Sequence, residues 1–198
     1  MTQPLRPATI AVRAGQPPDL PGRPVVAPVH RTVIFEFESA AQFGEVMADS
    51  RRGYLYSRIR NPSVDELAGA AAQLEGAPAG VCYGSGMAAV NAALDLLAPP
   101  GAGVVATPRL YGETYAVLRA RADTRFIDPA AGDALREAAG SASVIYTETI
   151  SSGGVGVADL ELLAGIARET GARLVVDNTY ATPLGCRPLE LGADLVVH

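Results

Sequence analysis

Lysine is absent from this chain of 198 residues. All 16 residues counted as lysine or arginine are arginines, and they are scattered along a chain whose formal net charge is -5. Proteins that bind nucleic acid or anionic membranes concentrate their basic side chains in a patch. The sequence therefore favours small molecules as partners, with no nucleic acid and no membrane among them.

Cysteine and long apolar runs are also scarce. The two cysteines, Cys82 and Cys186, lie in apolar contexts that suit reduced thiols better than the disulfide framework of a small secreted protein. No apolar run approaches the roughly 20 residues that span a bilayer, and the N-terminus lacks the apolar core of a signal peptide. We expect a cytoplasmic protein.

The first 62 residues differ in composition from the rest. Met1 to about Glu45 is rich in proline and arginine and contains one apolar segment, around Thr32 to Phe37. Such a stretch predicts an extended arm with little structure of its own, packed on another subunit or domain. We predict an N-terminal arm and interface segment over residues 1–62 and an α/β domain over residues 63–198.

A helix is predicted directly after this arm. Ser63 and Glu66 have the spacing of a capping box, and Gly76 is suited to end the helix. An apolar stripe at helical spacing lies between them: Leu67, Ala70, Ala71 and Leu74.

Short apolar runs then alternate with longer helical patterns. We predict strands near Gly80–Tyr83, Gly103–Thr107, Arg125–Ile127, Val144–Thr147, Leu174–Asp177 and Leu195–Val197. Helices are predicted near Met87–Leu97, Glu113–Ala122, Asp133–Ala139 and Asp159–Thr170. This alternation is typical of a mostly parallel sheet with helices on both faces. In such sheets ligands bind beyond the carboxyl ends of the strands.

The segment Val81–Ala89 carries the first candidate site. Its sequence V-C-Y-G-S-G-M-A-A predicts a short strand, a glycine turn and an immediate helix start, where free N–H groups and the helix dipole suit a phosphate. The same residues fit the dinucleotide pattern G-x-G-x-x-A, so an NAD(P)-dependent oxidoreductase is an alternative. That alternative requires an acidic residue after the next strand, where Thr107, Pro108 and Arg109 stand.

Asp177 ends an apolar run and is the second candidate. A carboxylate at the end of a strand can pair with the protonated pyridine nitrogen of pyridoxal 5'-phosphate (PLP). An ordinary strand-end aspartate that caps the following turn is the alternative.

Taken in order, these motifs resemble one family. The chain is similar, along nearly its whole length, to the Cys/Met-metabolism or trans-sulfuration family of PLP-dependent enzymes. The resemblance rests on the order and spacing of Tyr56-Ser57-Arg58, Asn61-Pro62-Ser63, the G-S-G-M-A-A turn, Leu110-Tyr111-Gly112, Glu148-Thr149, Asp177-Asn178-Thr179, Gly192-Ala193-Asp194 and His198. It implies an α/β fold-type I domain, transferase-like, with a mostly parallel sheet.

The resemblance implies which residues bind the cofactor phosphate. Tyr56 and Arg58 match a pair that reaches across a dimer interface to the cofactor of the neighbouring subunit, so a homo-oligomer, commonly a dimer of dimers, is expected. Gly86 and Met87 match backbone donors to the phosphate, with Ser85 beside them. No metal ion is expected.

The resemblance also implies the contacts to the cofactor ring. Tyr111 matches the aromatic residue that stacks on the pyridine and serves as an acid or base. Asp177 matches the partner of the pyridine nitrogen, with Thr179 as a secondary contact. Two residues depart from the family pattern. Ser152 stands where an asparagine bonds the phenolic oxygen, and Glu113 is either a substrate contact or a surface residue at a helix start.

The missing lysine is the largest departure. In the family a lysine shortly after the G-A-D-x-V-V-H run binds the cofactor covalently and moves the Cα proton. We expect the complete protein to supply it after His198, together with a C-terminal domain that binds the substrate carboxylate. The expected activity is elimination or replacement at Cβ or Cγ of a sulfur amino acid or an activated homoserine. A non-catalytic cofactor-binding or scaffolding protein is the alternative.

Overall fold

The computed structural model describes residues 6–13, 26–121, 123–152, 154 and 156–198. They fall into two compact units, one within Met1–Cys82 and one within Tyr83–His198. The division predicted from the sequence, between residues 62 and 63, stays a prediction. In the described part of the chain, no helix is long and apolar enough to cross a membrane.

Three α-helices lie in the described part of the first unit. They are α1 (Pro7–Arg13), α2 (Ala40–Ala48) and α3 (Pro62–Glu75), with a 3₁₀ turn at Ser50–Arg52. The expectation of an arm with little structure was wrong for α1 and α2. Ser39 caps α2, because its side chain accepts a hydrogen bond from the Gln42 N–H. Packing of α1 against α3 adds tertiary support that local propensity does not reveal.

The helix predicted after the arm is present as α3, but its first residues differ from the prediction. Asn61 is the cap, because its Oδ1 accepts the Ser63 N–H at 2.9 Å. Pro62 lacks an N–H and has a backbone angle suited to the first helical position, which moves the start before Ser63. Ser63 Oγ accepts instead from the His30 N–H at 2.9 Å. The predicted end is confirmed, because Gly76 is left-handed with φ 71°.

The buried side of α3 is also different from the predicted apolar stripe. Leu67 is 62% exposed, whereas Ala68, Ala72 and Glu75 are buried. Small side chains on that side allow close approach of neighbouring backbone, as at Gly80, where a Cβ would lie 2.5 Å from the Ala68 carbonyl oxygen. The stripe identified the helix and misplaced its buried side.

The described residues of the second unit form a five-stranded parallel sheet with helices. In chain order its elements are α4 (Gly86–Leu97), β1 (Gly103–Ala106), α5 (Gly112–Ala120), β2 (Thr124–Phe126), α6 (Gly132–Ala139), β3 (Ala142–Glu148), α7 (Leu160–Thr170), β4 (Arg173–Asp177), α8 (Thr182–Gly185), a 3₁₀ turn (Pro188–Leu191) and β5 (Leu195–Val197). The strand order is β2-β1-β3-β4-β5, and all pairs are parallel. This confirms the predicted α/β fold with a parallel sheet.

Both faces of the sheet are covered, which explains its continuously apolar strands. Tyr146 and Val175 pack on one face with residues of α4 and α5. Ile145, Leu174 and Val176 pack on the opposite face with residues of α6 and α7. Alternate residues of one strand therefore enter different cores, and the central positions of β3 and β4 are all apolar. We call the first side the α4/α5 face.

The strand predicted at Gly80–Tyr83 was wrong. Residues 80–83 are not part of any strand in the described structure. The side chains that suggested a buried strand are exposed, Val81 by 75% and Tyr83 by 51%. A strand requires a hydrogen-bonded neighbour as well as an apolar pattern, and the pattern alone cannot supply one.

Gly192 gives a direct test of the second unit. Its φ is +102°, and a Cβ there would lie 2.9 Å from Ala164 Cβ and 3.1 Å from Arg168 Nη1. We expect Gly192→Ala to lower the free energy of unfolding by about 1–3 kcal/mol. Gly165→Ala, within α7, is the matched control. A Cβ at this position would meet no atom within 4 Å, so the free energy of unfolding should rise by up to ~1 kcal/mol. Urea unfolding of the full-length protein measures both, and equal effects would contradict this account.

Candidate active site

The carboxyl ends of β3 and β4 carry two acidic side chains. Glu148 and Asp177 are register partners on these adjacent parallel strands. Tyr146 and Val175, two residues earlier on each strand, pack on the α4/α5 face. Because strand side chains alternate, both carboxylates lie on that same face. The structure thus brings a candidate catalytic residue beside a carboxylate to which the sequence assigned no role.

The N-terminus of α4 lies at the same edge of the sheet. A Cβ on Gly86 would lie 3.5 Å from the His198 carbonyl oxygen, which directly follows β5. Ser85 caps the helix, because its Oγ accepts the Ala88 N–H at 3.1 Å. The helix itself offers no acceptor to the N–H groups of Gly86 and Met87. Two backbone donors and the positive end of the helix dipole suit an anion here.

Asp177 is held by the residue two positions further on. Its Oδ1 accepts hydrogen bonds from the Thr179 N–H at 3.0 Å and from the Thr179 Oγ1 at 2.5 Å. These bonds limit the rotation of the carboxylate. Among the described residues, Asp177 and Glu148 enter no ion pair. The Asp177 carboxylate is therefore available to a cationic ligand group at this edge.

A buried polar pair joins the ends of β3, β4 and β5. Thr149 Oγ1 donates to Asn178 Oδ1 at 2.7 Å, and both side chains are buried. The Thr149 N–H donates to the Asp177 carbonyl at 2.9 Å, and the Asn178 N–H donates to Val197 at 2.8 Å. Buried polar groups with satisfied partners stiffen the region they connect. This pair positions Asp177 within the sheet edge, and sequence reasoning missed its contribution.

Tyr111 lies directly before α5 with an exposed ring. Its side chain is 48% exposed, and its backbone N–H donates to Glu148 Oε1. The helix has no side-chain cap at Tyr111. Glu113 is exposed in the first turn of α5, where a negative charge also stabilises the helix dipole. The choice between a substrate contact and a helix-start residue for Glu113 stays open.

Ser152 follows β3 and turns back toward that strand. Its N–H and its Oγ both donate to Glu148 Oε2, at 2.7 Å and 2.9 Å. The hydroxyl proton is therefore committed to a carboxylate, while the Ser152 oxygen keeps accepting capacity. Where the family pattern has an asparagine, this chain thus has a hydroxyl that donates to Glu148.

Tyr146 lies on β3, on the same face of the sheet as the carboxylates of Glu148 and Asp177. The ring is fully buried on the α4/α5 face. Burial raises the pKa of the Tyr146 phenol far above its ordinary value, and the nearby charges of Asp177 and Glu148 raise it further. The phenol therefore stays protonated and neutral. The sequence offers one signal for the position of Tyr146. A single tyrosine lies within the run Val144–Glu148, which is otherwise mainly apolar and ends in a carboxylate.

Tyr56 and Arg58 lie in the first unit. Their segment pairs with residues 33–35, because the Ser57 N–H donates to Val33 at 2.9 Å and Tyr56 forms an antiparallel bridge with Ile34. The Arg58 guanidinium carbon lies 5.2 Å from the centroid of the Tyr56 ring, a cation–π contact. Arg58 is exposed and, within the described ranges, forms no ion pair.

Comparison with known proteins shows the family of this chain. The family model of the Cys/Met metabolism PLP-dependent enzymes matches residues 8–198. The chain is 41% identical to the L-methionine gamma-lyase of Pseudomonas putida, over 96% of this chain and 50% of the relative. It is 33% identical to the cystathionine gamma-lyase of Bacillus subtilis, over 96% of this chain and 49% of the relative.

A solved structure is similar as well. It is an O-acetylhomoserine (thiol)-lyase from Campylobacter jejuni with N'-pyridoxyl-lysine-5'-monophosphate, which superposes with a TM-score of 0.89 at 29% identity. The match covers 98% of this chain and 49% of that one. The chain thus spans about half the length of the curated relatives that it matches. On the family match and the sheet-edge geometry together, the chain belongs to the family of Cys/Met metabolism PLP-dependent enzymes.

Proposed function

We propose that the complete protein is a PLP-dependent C–S lyase or γ-synthase acting on a sulfur amino acid or an activated homoserine. The observation that carries the proposal is the position of Asp177. Its carboxylate ends β4 on the α4/α5 face, it is held by Thr179, and it belongs to the same sheet edge as the N-terminus of α4. A carboxylate and an anion site at one edge match the two charged ends of PLP.

The donor set at this edge fits PLP. The N–H groups of Gly86 and Met87, beside the capping Ser85, would hold the phosphate. Asp177, supported by Thr179, would bind the protonated pyridine nitrogen, and the exposed ring of Tyr111 would stack on the cofactor. Ser152 would meet the phenolic oxygen only through the lone pairs that its bond to Glu148 leaves free.

When bound, PLP supplies an electron sink that stabilises negative charge at the substrate Cα. Three residues of this chain would hold the cofactor or move a proton. Asp177 would favour the protonated pyridine nitrogen, because a fixed anion stabilises a cationic ring. Tyr111 would exchange a proton at its hydroxyl as the leaving group departs. Thr179 holds the Asp177 carboxylate in place.

The overall reaction has two branches. In elimination from a thioether such as L-methionine, one water is consumed, the C–S bond breaks, and a thiol, ammonia and a 2-oxo acid are released. In replacement, a nucleophile takes the place of the leaving group on an activated homoserine. The 41% identity to a methionine gamma-lyase supports testing elimination first. Glu113, exposed at the start of α5, is a candidate contact for a polar substrate group.

We propose a homo-oligomer, with a dimer of dimers as the expected size and the cytoplasm as its compartment. Arg58 carries this part of the proposal. Its guanidinium is exposed, stacks on Tyr56 and has no ion pair among the described residues. Such a group is available to the phosphate of a neighbouring subunit.

The test uses the purified full-length protein with L-methionine and, separately, O-acetyl-L-homoserine plus a thiol. We expect a near-visible absorbance that borohydride abolishes, and equal amounts of thiol, ammonia and 2-oxo acid from methionine. Turnover of the homoserine substrate alone would select the replacement branch. A colourless protein that binds NAD(P) would favour the oxidoreductase alternative, and one that binds neither cofactor would favour a scaffold.

A further inference from the structure

The Glu148 carboxylate connects two segments that carry candidate site residues. Glu148 is the last residue of β3 and is only 4% exposed. Its Oε1 accepts the Tyr111 N–H, and its Oε2 accepts both the N–H and the hydroxyl of Ser152, at 2.7 Å and 2.9 Å. Three donors converge on one buried carboxylate, and they come from the segment before α5 and the segment after β3.

The carboxylate also binds the backbone of the residue that precedes α5. Tyr111 occupies the cap position of the nine-residue helix α5 and makes no side-chain cap hydrogen bond. Glu148 supplies an acceptor and a negative charge from a different element at the positive end of that helix. The Tyr111 backbone is therefore held on β3, and this fixes the Cβ atom from which the exposed ring extends.

The anchor lies one strand away from Asp177. Glu148 and Asp177 are register partners of β3 and β4, and both lie on the α4/α5 face. The distance between the Tyr111 backbone and Asp177 is thus set by the pairing of Glu148 with Asp177. The same carboxylate orients the Ser152 hydroxyl.

We propose that Glu148 is a positioning residue that sets the placement of Tyr111 and Ser152 relative to Asp177 for the cofactor ring. The proposal rests on the proposed function, because that function identifies the group that these residues surround as PLP. In this role Glu148 contacts neither the cofactor nor the substrate. Its effect passes through the Tyr111 amide and the two donors of Ser152.

The first measurement is hydrogen exchange on the full-length protein without cofactor. In Glu148→Gln, an amide group with one acceptor oxygen faces three donors, so at least one donor loses its partner. We expect amide exchange to accelerate about tenfold at Tyr111 or Ser152. Glu137→Gln, an exposed glutamate of α6, is the matched control and should change neither amide. Unchanged exchange at both amides in Glu148→Gln would overturn the anchor.

The second measurement separates positioning from general stability. We expect Glu148→Gln in the PLP-loaded protein to alter the circular dichroism of the bound cofactor and to lower kcat about tenfold or more. In a Tyr111→Phe background, which already lacks the ring hydroxyl, the same substitution should lower kcat by a much smaller factor. Equal factors in both backgrounds would overturn the proposal, because a purely structural loss does not depend on that hydroxyl.

A third variant covers the case in which Glu148→Gln does not fold. Ser152→Ala removes one of the three donors and leaves the Glu148 carboxylate buried with two. It should shift the cofactor dichroism in the same direction by a smaller amount, and no shift would count against the proposal. If the wild-type protein loads PLP and turns over substrate while these variants show no effect, the positioning role alone fails. If the wild type binds no PLP, the proposed function fails with it.

Discussion

Asp177→Asn in the full-length protein is expected to keep PLP and to lose about three orders of magnitude in kcat/KM. The neutral amide cannot stabilise a protonated pyridine nitrogen, so the bound ring withdraws electrons less strongly. A loss of 10³-fold corresponds to about 4 kcal/mol of transition-state stabilisation, the size expected for one preorganised electrostatic contact. Steady-state kinetics and the visible spectrum measure the two parts of this result.

The fold should tolerate this substitution. The Thr179 N–H and hydroxyl, which donate to Asp177 Oδ1 at 3.0 Å and 2.5 Å, can also donate to an amide oxygen. Asp159→Asn is the matched control. Asp159 caps α7 by accepting the Leu162 N–H at 3.0 Å, and asparagine caps as well as aspartate. Its activity should stay within about twofold of wild type. Comparable losses in both variants would remove Asp177 from the proposed role.

Arg58→Ala should weaken PLP binding by about 10–100-fold, the range expected when one hydrogen-bonded charge is lost from a phosphate site. The guanidinium is exposed and rests only on the Tyr56 ring among the contacts of the described chain. Removing it should leave the unfolding midpoint of the cofactor-free protein unchanged. Equilibrium dialysis against PLP, alongside thermal unfolding, measures both quantities.

Arg52→Ala provides the same change of charge a few residues away. Arg52 is exposed and pairs with Glu45 at 3.3 Å, an ion pair typical of a solvated surface. We expect its PLP affinity to equal that of wild type. If Arg58→Ala binds PLP as tightly as Arg52→Ala does, Arg58 does not contact the phosphate. If Arg58→Ala binds PLP more weakly, Arg58→Ala subunits can be mixed with Asp177→Asn subunits. The activity of the mixture shows whether the two residues act in different subunits.

The parallel sheet could be predicted because each strand carries its own signal. The runs Val144–Tyr146 and Leu174–Val176 are apolar at every position, since alternate residues enter different cores. Burial on two faces is the reason that such runs indicate parallel strands. The start of α4 was predictable for the same local reason, because a serine cap and two glycines lie within four residues of sequence.

Features that depend on a distant partner could not be predicted in this way. The run at Gly80–Tyr83 has strand composition, but whether it becomes a strand depends on a neighbouring backbone. The cap of α3 moved to Asn61 because the following residue is Pro62, and Ser63 found a partner at His30, 33 positions earlier. Long-range hydrogen bonds of this kind leave no periodicity in the sequence.

The sequence by itself determined the alternation of strands and helices, the glycine turn before α4 and the acidic end of β4, because these follow from local backbone chemistry and apolar spacing. Only the tertiary structure decided that Glu148 stands opposite Asp177 and holds Tyr111 and Ser152. Residues 111, 148 and 177 are separated by 29 residues or more, and only the lateral order of parallel strands brings them to one edge. That order is set by how the helices pack on the sheet.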